Sequence, residues 1–432
     1  MKAHPYLELL RTREISVLWS GLALSALGSE LYRVGAIWMA VNVAGTRGAY
    51  LASAQMAAIL ITSVCGGAVA ERVSRRVLLV GSDLARAGIS LLVVAAVLSP
   101  GLTLPTLMLT SVALAAFAAL FDPVLQSSLP LLVQDRSRLR AANGLFDATA
   151  RLAQVVGPSL AAALIMVIPV LHLLTVNALS FLASGLAIAI MGRRLGGQPE
   201  AQSASNTGPW GRLARGISTA NGCPGAWPIL LTTMLRGAAY ALGFSVGVPL
   251  LFAGRLGAGD VWGFTGLALV FGACAGGELV GNVWVVTIKP RRPWRMLFLG
   301  YMTIGVGLSC IGLAQILVPV SWRVPAMIAS ALPIGFGGAF AGVQMLTFFG
   351  SRLSSDAFAS VLRLRLTLIT IAAMVTTAAG PWAFARLGIV ACIVGCGVAV
   401  AAAACVSLFS KTHDRVEDGV VGPSLVARCG RL

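Results

Sequence analysis

The stretch Gly67-Ala68-Val69-Ala70-Glu71-Arg72-Val73-Ser74-Arg75-Arg76 separates two long apolar runs, and the rest of the chain is arranged around it. The run before it, residues 51–70, carries no charge, and the run after it, residues 77–98, carries only Asp83 and Arg86. Each run has about the 20 residues that a helix needs to cross a bilayer. A charged loop this short between two such helices must lie at a membrane surface, and its arginines indicate the cytoplasmic surface.

The composition of the chain is that of a membrane protein. Of its 432 residues, 57% are hydrophobic and 11% are charged, and the mean hydropathy is +0.88. A net charge of +17 would suggest a nucleic-acid partner for a soluble protein. In a membrane protein the same charge is expected in cytoplasmic loops, so no nucleic-acid partner is expected.

Several classes of site are absent from the sequence. The eight cysteines include no CxxC pair and no cluster with histidine, so neither a metal site nor a disulfide framework is expected. No glycine-rich phosphate loop with a lysine is present, so ATP is not the expected energy source. No catalytic constellation is recognisable either, and we predict a protein that is not an enzyme and needs no cofactor.

Twelve apolar runs are long enough to be membrane spans. They cover residues 15–43, 49–70, 77–98, 104–128, 141–168, 171–191, 228–253, 261–287, 294–317, 324–349, 359–384 and 387–409. The predicted fold is therefore an all-α integral membrane protein with twelve transmembrane helices in two six-helix halves. The predicted divisions are an N-terminal half at 1–192, a polar cytoplasmic linker at 193–227, a C-terminal half at 228–410 and a cytoplasmic tail at 411–432. This is the layout of a transporter built from two related halves.

Basic residues predict the orientation of these spans. An even number of spans places both termini on one side of the membrane. The loops on that side, with the two termini, contain 22 lysines and arginines, and the opposite loops contain 4. We therefore expect a multi-pass protein of the cell membrane with both termini in the cytoplasm.

Two sets of residues resemble a known family. The spacing in the loop that begins at Gly67 is similar to the loop 2–3 signature of the major facilitator superfamily, with Glu71 in place of the usual aspartate and Ser74 in place of glycine. Phe121–Pro130, Arg151 and Asn177–Phe181 resemble the branch of that superfamily that contains enterobactin and macrolide exporters. The resemblance implies the major facilitator fold and a proton-coupled exporter of a small organic molecule.

The resemblance also implies a gating role for the charged loop. Glu71 is expected to dock at the amino end of the eleventh span, where the helix dipole is positive. Arg75 is expected to pair with Asp83 or Asp122. The alternative is that the arginines only set the topology. The candidate gating residues are Gly67, Glu71, Arg72, Arg75, Arg76, Asp83 and Asp122.

Glu30 and Arg33 lie near the middle of the first span. A charge at that depth costs several kcal/mol unless it faces a cavity or has a partner. The two residues are three apart and share one face of a helix, so they can pair. Glu30 is therefore the first candidate for a protonation site or a site for a substrate cation. A purely structural ion pair is the alternative.

Other charges lie inside later spans. Asp147 and Arg151 are four residues apart on the fifth span, so they can pair. We expect either a role in coupling or substrate contact, or a purely structural pair. Arg236 and Glu278 are the only charges deep in spans seven to ten, and they could pair across helices.

Gly157 and Pro158 on the fifth span resemble the antiporter signature of the family. Small residues allow close helix packing, and proline weakens the backbone ladder. The arginine that many proton-coupled members carry on the fourth helix is absent, because residues 105–120 contain no basic side chain. Its absence shifts the expected proton site towards Glu30.

The predicted function is secondary active transport. We expect proton-coupled export, by alternating access, of a lipophilic or amphipathic molecule such as an antibiotic or siderophore. Two alternatives are an importer or facilitator of a nutrient or lysolipid, and a membrane sensor that transports nothing. The expected partners are the small-molecule substrate, protons and the lipid bilayer, and the expected state is a monomer.

Overall fold

The computed structural model describes residues 9–98, 103–132, 136–191, 209–254, 262–287 and 293–408, apart from the side chains of residues 14, 64–72, 131–138, 140, 191, 209, 212, 286, 293 and 355. Every element in these ranges is helical. Each of the twelve predicted spans coincides with a helical segment, because each apolar run is long enough to satisfy all its backbone hydrogen bonds internally as a helix.

The helices follow one another along the chain with short connections between them. Before residue 192 they are α1 Arg13–Ala44, α2 Ala49–Arg72, α3 Arg75–Leu98, α4 Leu104–Leu132, α5 Arg136–Leu164 and α6 His172–Met191, with a 3₁₀ turn at Gly45–Gly48. After residue 208 they are α7 Pro209–Gly222, α8 Ala226–Ala239, a π-helical segment Tyr240–Gly247, α9 Val248–Ala253, α10 Gly263–Thr287, α11 Pro293–Leu317, α12 Val320–Gly350, α13 Ser355–Leu387 and α14 Ile389–Leu408.

Ten segments of the described chain are long and apolar enough to cross a membrane. One of them, Ile15–Ser63, joins the first two predicted spans, because the 3₁₀ turn keeps the chain helical between them. Helix α5 is not among the ten, since charged side chains such as Asp147 and Arg151 lower its hydropathy. It also ends four residues before the predicted limit, in turns that precede Pro169.

The predicted linker, residues 193–227, contains a helix that its polar composition did not indicate. Helix α7 occupies residues 209–222 of that range, and residues 192–208 are outside the description. Leu213, Gly216 and Ala220 lie on one face of α7 at helical spacing. This face packs on α13, where a Cβ added to Gly216 would lie 2.8 Å from the Ser360 carbonyl oxygen.

The chain divides into two compact units. The first contains Met1–Ala44 and Ala54–Ser203, and the second contains Gly45–Ser53 and Ala204–Leu432. The short segment after α1 therefore packs with the second unit. A Cβ added to Gly380 of α13 would lie 3.2 Å from the Ala49 Cβ.

Glycines on α1 bring it close to α6 in the first unit. Gly21 and Gly28 are seven residues apart and so lie on one face of α1. An added Cβ would lie 2.7 Å from the Ala187 Cβ at the first position and 2.8 Å from the Ser180 Cβ at the second. This close approach places the polar side chains of both helices inside the unit.

In the second unit α12 packs against both α10 and α11. The backbones of α10 and α12 almost touch, because a Cβ added to Gly335 would overlap the carbonyl oxygen of Cys274 and lie 2.6 Å from the amide nitrogen of Glu278. Helix α13 packs against α7 and α8.

Candidate functional site

The first sequence-predicted pair forms within α1. Arg33 Nη2 lies 2.6 Å from Glu30 Oε2, and Arg33 Nε donates a hydrogen bond to the same oxygen at 2.7 Å. The Glu30 side chain is 14% exposed, and that of Arg33 is 48% exposed. Glu30 is 17 residues after Arg13, which places it about 26 Å along the helix. The carboxylate therefore lies well inside an apolar helix.

Glu30 packs against the Gly-Pro motif of α5. A Cβ added to Gly157 would lie 2.5 Å from the Glu30 Cβ. Gly157 and Pro158 are both buried, and the helix continues through the proline. The structure thus brings together two features that the sequence indicated separately, the mid-helix carboxylate and the antiporter-like motif.

The second predicted pair also forms, in a different environment. Arg151 Nε donates to Asp147 Oδ2 at 2.9 Å, but the side chains are 50% and 65% exposed. An exposed ion pair adds little to stability where water reaches and screens it. Close by, Trp19 Nε1 donates to Thr149 Oγ1 at 2.8 Å and joins α1 to α5.

The charged loop is only partly described. Arg76 donates to the carbonyl oxygen of Ala189 at 2.9 Å, near the carboxyl end of α6, where a cation is favoured. The side chains of Glu71 and Arg72, like Gly67, are outside the described part, so the expected docking of Glu71 stays a prediction. Among the described residues, Arg75 forms no ion pair with an acid.

Asp83 pairs with Arg86, one turn further along α3, and not with Arg75. The Asp83 side chain is fully buried, and that of Arg86 is 7% exposed. The guanidinium carbon lies 4.3 Å from the ring centroid of Phe121 on α4 and 4.4 Å from that of Phe181 on α6. The pair is thus enclosed by aromatic rings, a favourable setting for a cation.

Arg86 is the residue of this cluster that sequence reasoning missed as a site residue. Asp122 was the other predicted partner of Arg75. It lies near this cluster and interacts electrostatically with Arg86. The available signal was the three-residue spacing of Asp83 and Arg86, which repeats that of Glu30 and Arg33. The predicted partner of Asp83 was Arg75, whereas the spacing of Asp83 and Arg86 indicates the pair that the structure shows.

In the second unit the expected pair of Arg236 and Glu278 does not form. Arg236, on α8, interacts electrostatically with Arg365 of α13. Glu278 lies on α10 at the close approach to Gly335. The sequence comparison covered only spans seven to ten and so did not include Arg365 on span eleven. Arg365 is therefore a second site residue that sequence reasoning missed.

A hydrogen-bonded tyrosine lies beside this arginine. Tyr301, on α11, interacts electrostatically with Arg365, and its hydroxyl is 2.5 Å from Thr233 Oγ1 on α8. Tyr301 is 2% exposed and Thr233 is fully buried. Three helices of the second unit therefore contribute polar groups to one buried cluster.

The helix that carries Arg236 changes geometry four residues later. Tyr240–Gly247 is π-helical, and Tyr240 stacks on Phe244 with ring centroids 4.9 Å apart. Phe244 in turn stacks on Phe271 of α10 at 5.1 Å. Segments of this kind are frequently found at functional sites. As for metals, no cluster of potential ligands is found within the described ranges.

Long apolar helices that carry charged pairs in their interiors define a polytopic α-helical membrane protein. The Major Facilitator Superfamily model matches residues 18–377, and the chain belongs to this family. Members of the family are transporters and not enzymes. No curated protein matches the chain.

Solved structures share the fold at low sequence identity. The chain is similar to a POT family transporter in complex with a thioalcohol-conjugated peptide, at 13% identity over 96% of each chain and a TM-score of 0.69. It is also similar to a bacterial homologue of the iron transporter ferroportin in an inward-facing state, at 13% identity over 92% of this chain and 99% of that one, with a TM-score of 0.71. At this identity the likeness concerns the fold alone.

Proposed function

We propose that the protein is a proton-coupled antiporter of the cell membrane that exports a small lipophilic or amphipathic molecule by alternating access. The observation that carries the proposal is the position of Glu30, a largely buried carboxylate held by Arg33 and packed on Gly157. The exporter direction, and antibiotics or siderophores as substrates, follow from the resemblance to the enterobactin and macrolide exporters. Both termini lie in the cytoplasm, and the protein acts as a monomer.

The geometry of the pair suggests how a proton could act on it. The hydrogen bond from Arg33 Nε and the ion-pair contact of Arg33 Nη2 both end on Glu30 Oε2. A proton bound to this carboxylate removes its charge and weakens both interactions. Because the Glu30 Cβ rests on Gly157, a new side-chain position of Glu30 changes the contact between α1 and α5. Protonation is thereby linked to helix packing.

The experiment is transport in inverted vesicles with an acidic lumen, with a panel of lipophilic cations, macrolides and siderophores and a pH-sensitive dye. With the wild-type protein, we expect a transported compound to release protons from the lumen. The Glu30→Gln variant should lose this release, because its neutral side chain takes up no proton. Asp147→Asn is the matched control, since it removes a carboxylate from an exposed pair and should keep the response.

Three other outcomes would contradict the proposal. Substrate movement without any change in pH would favour a facilitator, for example of a nutrient or lysolipid. Uptake in the opposite direction would favour an importer. Proton release that is equal in Glu30→Gln and the wild-type protein would exclude Glu30 as the coupling residue.

A further inference from the structure

Two arginines of the second unit lie at the same depth in their helices. Arg236 is ten residues after the start of α8 at Ala226, and Arg365 is ten residues after the start of α13 at Ser355. At 1.5 Å per residue, each is about 15 Å from its helix start, close to half the thickness of the hydrocarbon core. Successive spans alternate in direction, so α8 and α13 run the same way.

The packing between the two helices brings these positions together. Gly237 follows Arg236 directly, and a Cβ added to it would lie 2.7 Å from Ile369 Cγ2. Ile369 is one turn beyond Arg365 on α13. The two guanidinium groups are near enough to interact electrostatically. Two like charges therefore lie near one another in the second unit.

No carboxylate balances the two charges within the described part of this unit. The acids described there are Glu278 and Asp356, and neither forms an ion pair with Arg236 or Arg365. The Nε atom of Arg365 is buried and lacks a hydrogen-bond partner. A buried donor without a partner costs about 1–3 kcal/mol. An anion at this position would remove both the repulsion and the unsatisfied donor.

Two hydrogen-bonded hydroxyl groups, those of Thr233 and Tyr301, lie close enough to Arg365 for Tyr301 to interact with it electrostatically. Thr233 Oγ1 donates to the carbonyl oxygen of Ile229 at 2.6 Å, which uses its single proton. The Tyr301 hydroxyl must then donate to Thr233, at 2.5 Å. The Tyr301 oxygen keeps its lone pairs, so it can accept a hydrogen bond from Arg365. Such a hydrogen bond would orient the guanidinium before any ligand arrives.

An aromatic wall adjoins the arginines. Tyr240 is four residues after Arg236 and so lies on the same face of the helix, one turn further on. It begins the π-helical segment and stacks on Phe244. A molecule with an anionic group and an apolar body matches this combination of cations and rings.

We propose that Arg236 and Arg365 bind the anionic group, a carboxylate or phosphate, of the transported molecule. The class of substrate rests on the proposed transport function, but the anion site can be tested without transport. The substrate class is thus an amphipathic anion. In this proposal Tyr301 orients Arg365, and the apolar body of the substrate packs against Tyr240.

The test is isothermal titration calorimetry on the purified protein in a neutral detergent, with 1-naphthoate and its uncharged analogue 1-naphthamide as probes. The wild-type protein should bind the carboxylate at least tenfold more tightly than the amide. Arg236→Gln and Arg365→Gln should each weaken naphthoate binding by about tenfold or more, the usual effect of losing a charged hydrogen bond. Arg365→Lys keeps the charge and should weaken naphthoate binding less. It provides a second test of this position if the glutamine variant does not fold.

Arg363→Gln is the matched control. It removes the same charge from the same helix, but Arg363 is exposed and donates to the carbonyl oxygen of Ala359. Its naphthoate affinity should stay within twofold of the wild-type value. Equal affinities for naphthoate and naphthamide would overturn the proposal, as would a loss in Arg363→Gln as large as that in Arg365→Gln.

A lipid headgroup has the same anionic chemistry and needs its own arm of the experiment. The titration is repeated in nanodiscs of phosphatidylcholine and of phosphatidylglycerol. Equal naphthoate binding in both supports a substrate site, whereas loss in phosphatidylglycerol alone makes the lipid phosphate the occupant and overturns the substrate assignment. If naphthoate does not bind but proton release is intact, the anion site is excluded and proton coupling is kept. If naphthoate binds but proton release is lost, the proton coupling is excluded and the anion site is kept.

Discussion

At the scale of single residues, burial separates three acid–arginine pairs that have nearly the same spacing. Asp83 and Arg86 are almost completely enclosed, Glu30 is largely buried beside a half-exposed Arg33, and Asp147 and Arg151 are both exposed. Removing one partner has consequences that depend on the solvent around the other. The pair of Glu30 and Arg33 is intermediate between these two extremes of burial.

Asp83→Leu should destabilise the protein strongly. The substitution leaves the Arg86 charge buried without its carboxylate, which costs about 3–5 kcal/mol. Equilibrium unfolding in mixed micelles gives the free-energy difference.

Asp147→Leu is the control for this prediction, because loss of an exposed pair should cost less than about 1 kcal/mol. A further variant with Asp83→Leu and Arg86→Met together should recover much of the loss, since it removes the unpaired charge. Equal costs for the two leucine variants would contradict a structural role for the buried pair.

At the scale of helices, close approach depends on particular glycines. Gly335 and Gly338 lie on the same helix, α12, three residues apart. A Cβ at Gly335 would overlap the backbone of α10 at Cys274, whereas nothing lies within 4 Å of a Cβ at Gly338. Backbone atoms cannot rotate away as side chains can, so the helices would have to separate.

Gly335→Ala should therefore be destabilised by about 1–3 kcal/mol or more, as in other overpacked sites. Gly338→Ala should be neutral or more stable by up to about 1 kcal/mol, because alanine favours a helix. Thermal unfolding in detergent measures both variants. If the two midpoints were equal, the backbones of α10 and α12 would not be in contact at Gly335.

Sequence predicted helices better than it predicted contacts. All twelve apolar runs became helices because length and hydropathy are local properties. Helix α7 was missed because the residues of its packed face, such as Leu213 and Ala220, are few and lie within a polar stretch. The contact between Glu30 and Gly157, and the electrostatic interaction between Arg236 and Arg365, join positions more than 120 residues apart, and no local pattern encodes them.

At the scale of the whole molecule, the distribution of basic residues predicts how the chain crosses the membrane. The short connections at Arg47 and Ser74 lie at opposite ends of α2. A reporter enzyme that is active only outside the cytoplasm should be active when fused after Arg47 and inactive when fused after Ser74. Activity after Ser74 would reverse the orientation, and with it the assignment of both termini to the cytoplasm.

Because the identity to the solved structures is low, the shared fold does not identify the substrate of this chain. Two neighbours with 13% identity match nearly the whole chain, and one is named as a peptide-complexed transporter and the other as a homologue of an iron transporter. One architecture therefore holds different chemistry. The substrate of this chain has to be argued from its own side chains, such as the arginines of the second unit.

The π-helical segment has a consequence for alignments of this chain. A π turn holds more residues than an α turn, so Tyr240–Gly247 carries surplus backbone compared with a straight helix of equal length. Each residue of an α-helix turns by about 100°, so one surplus residue rotates everything that follows by that angle. An ungapped alignment with a straight-helix relative would match Arg236 correctly and assign Val248–Ala253 to the wrong face.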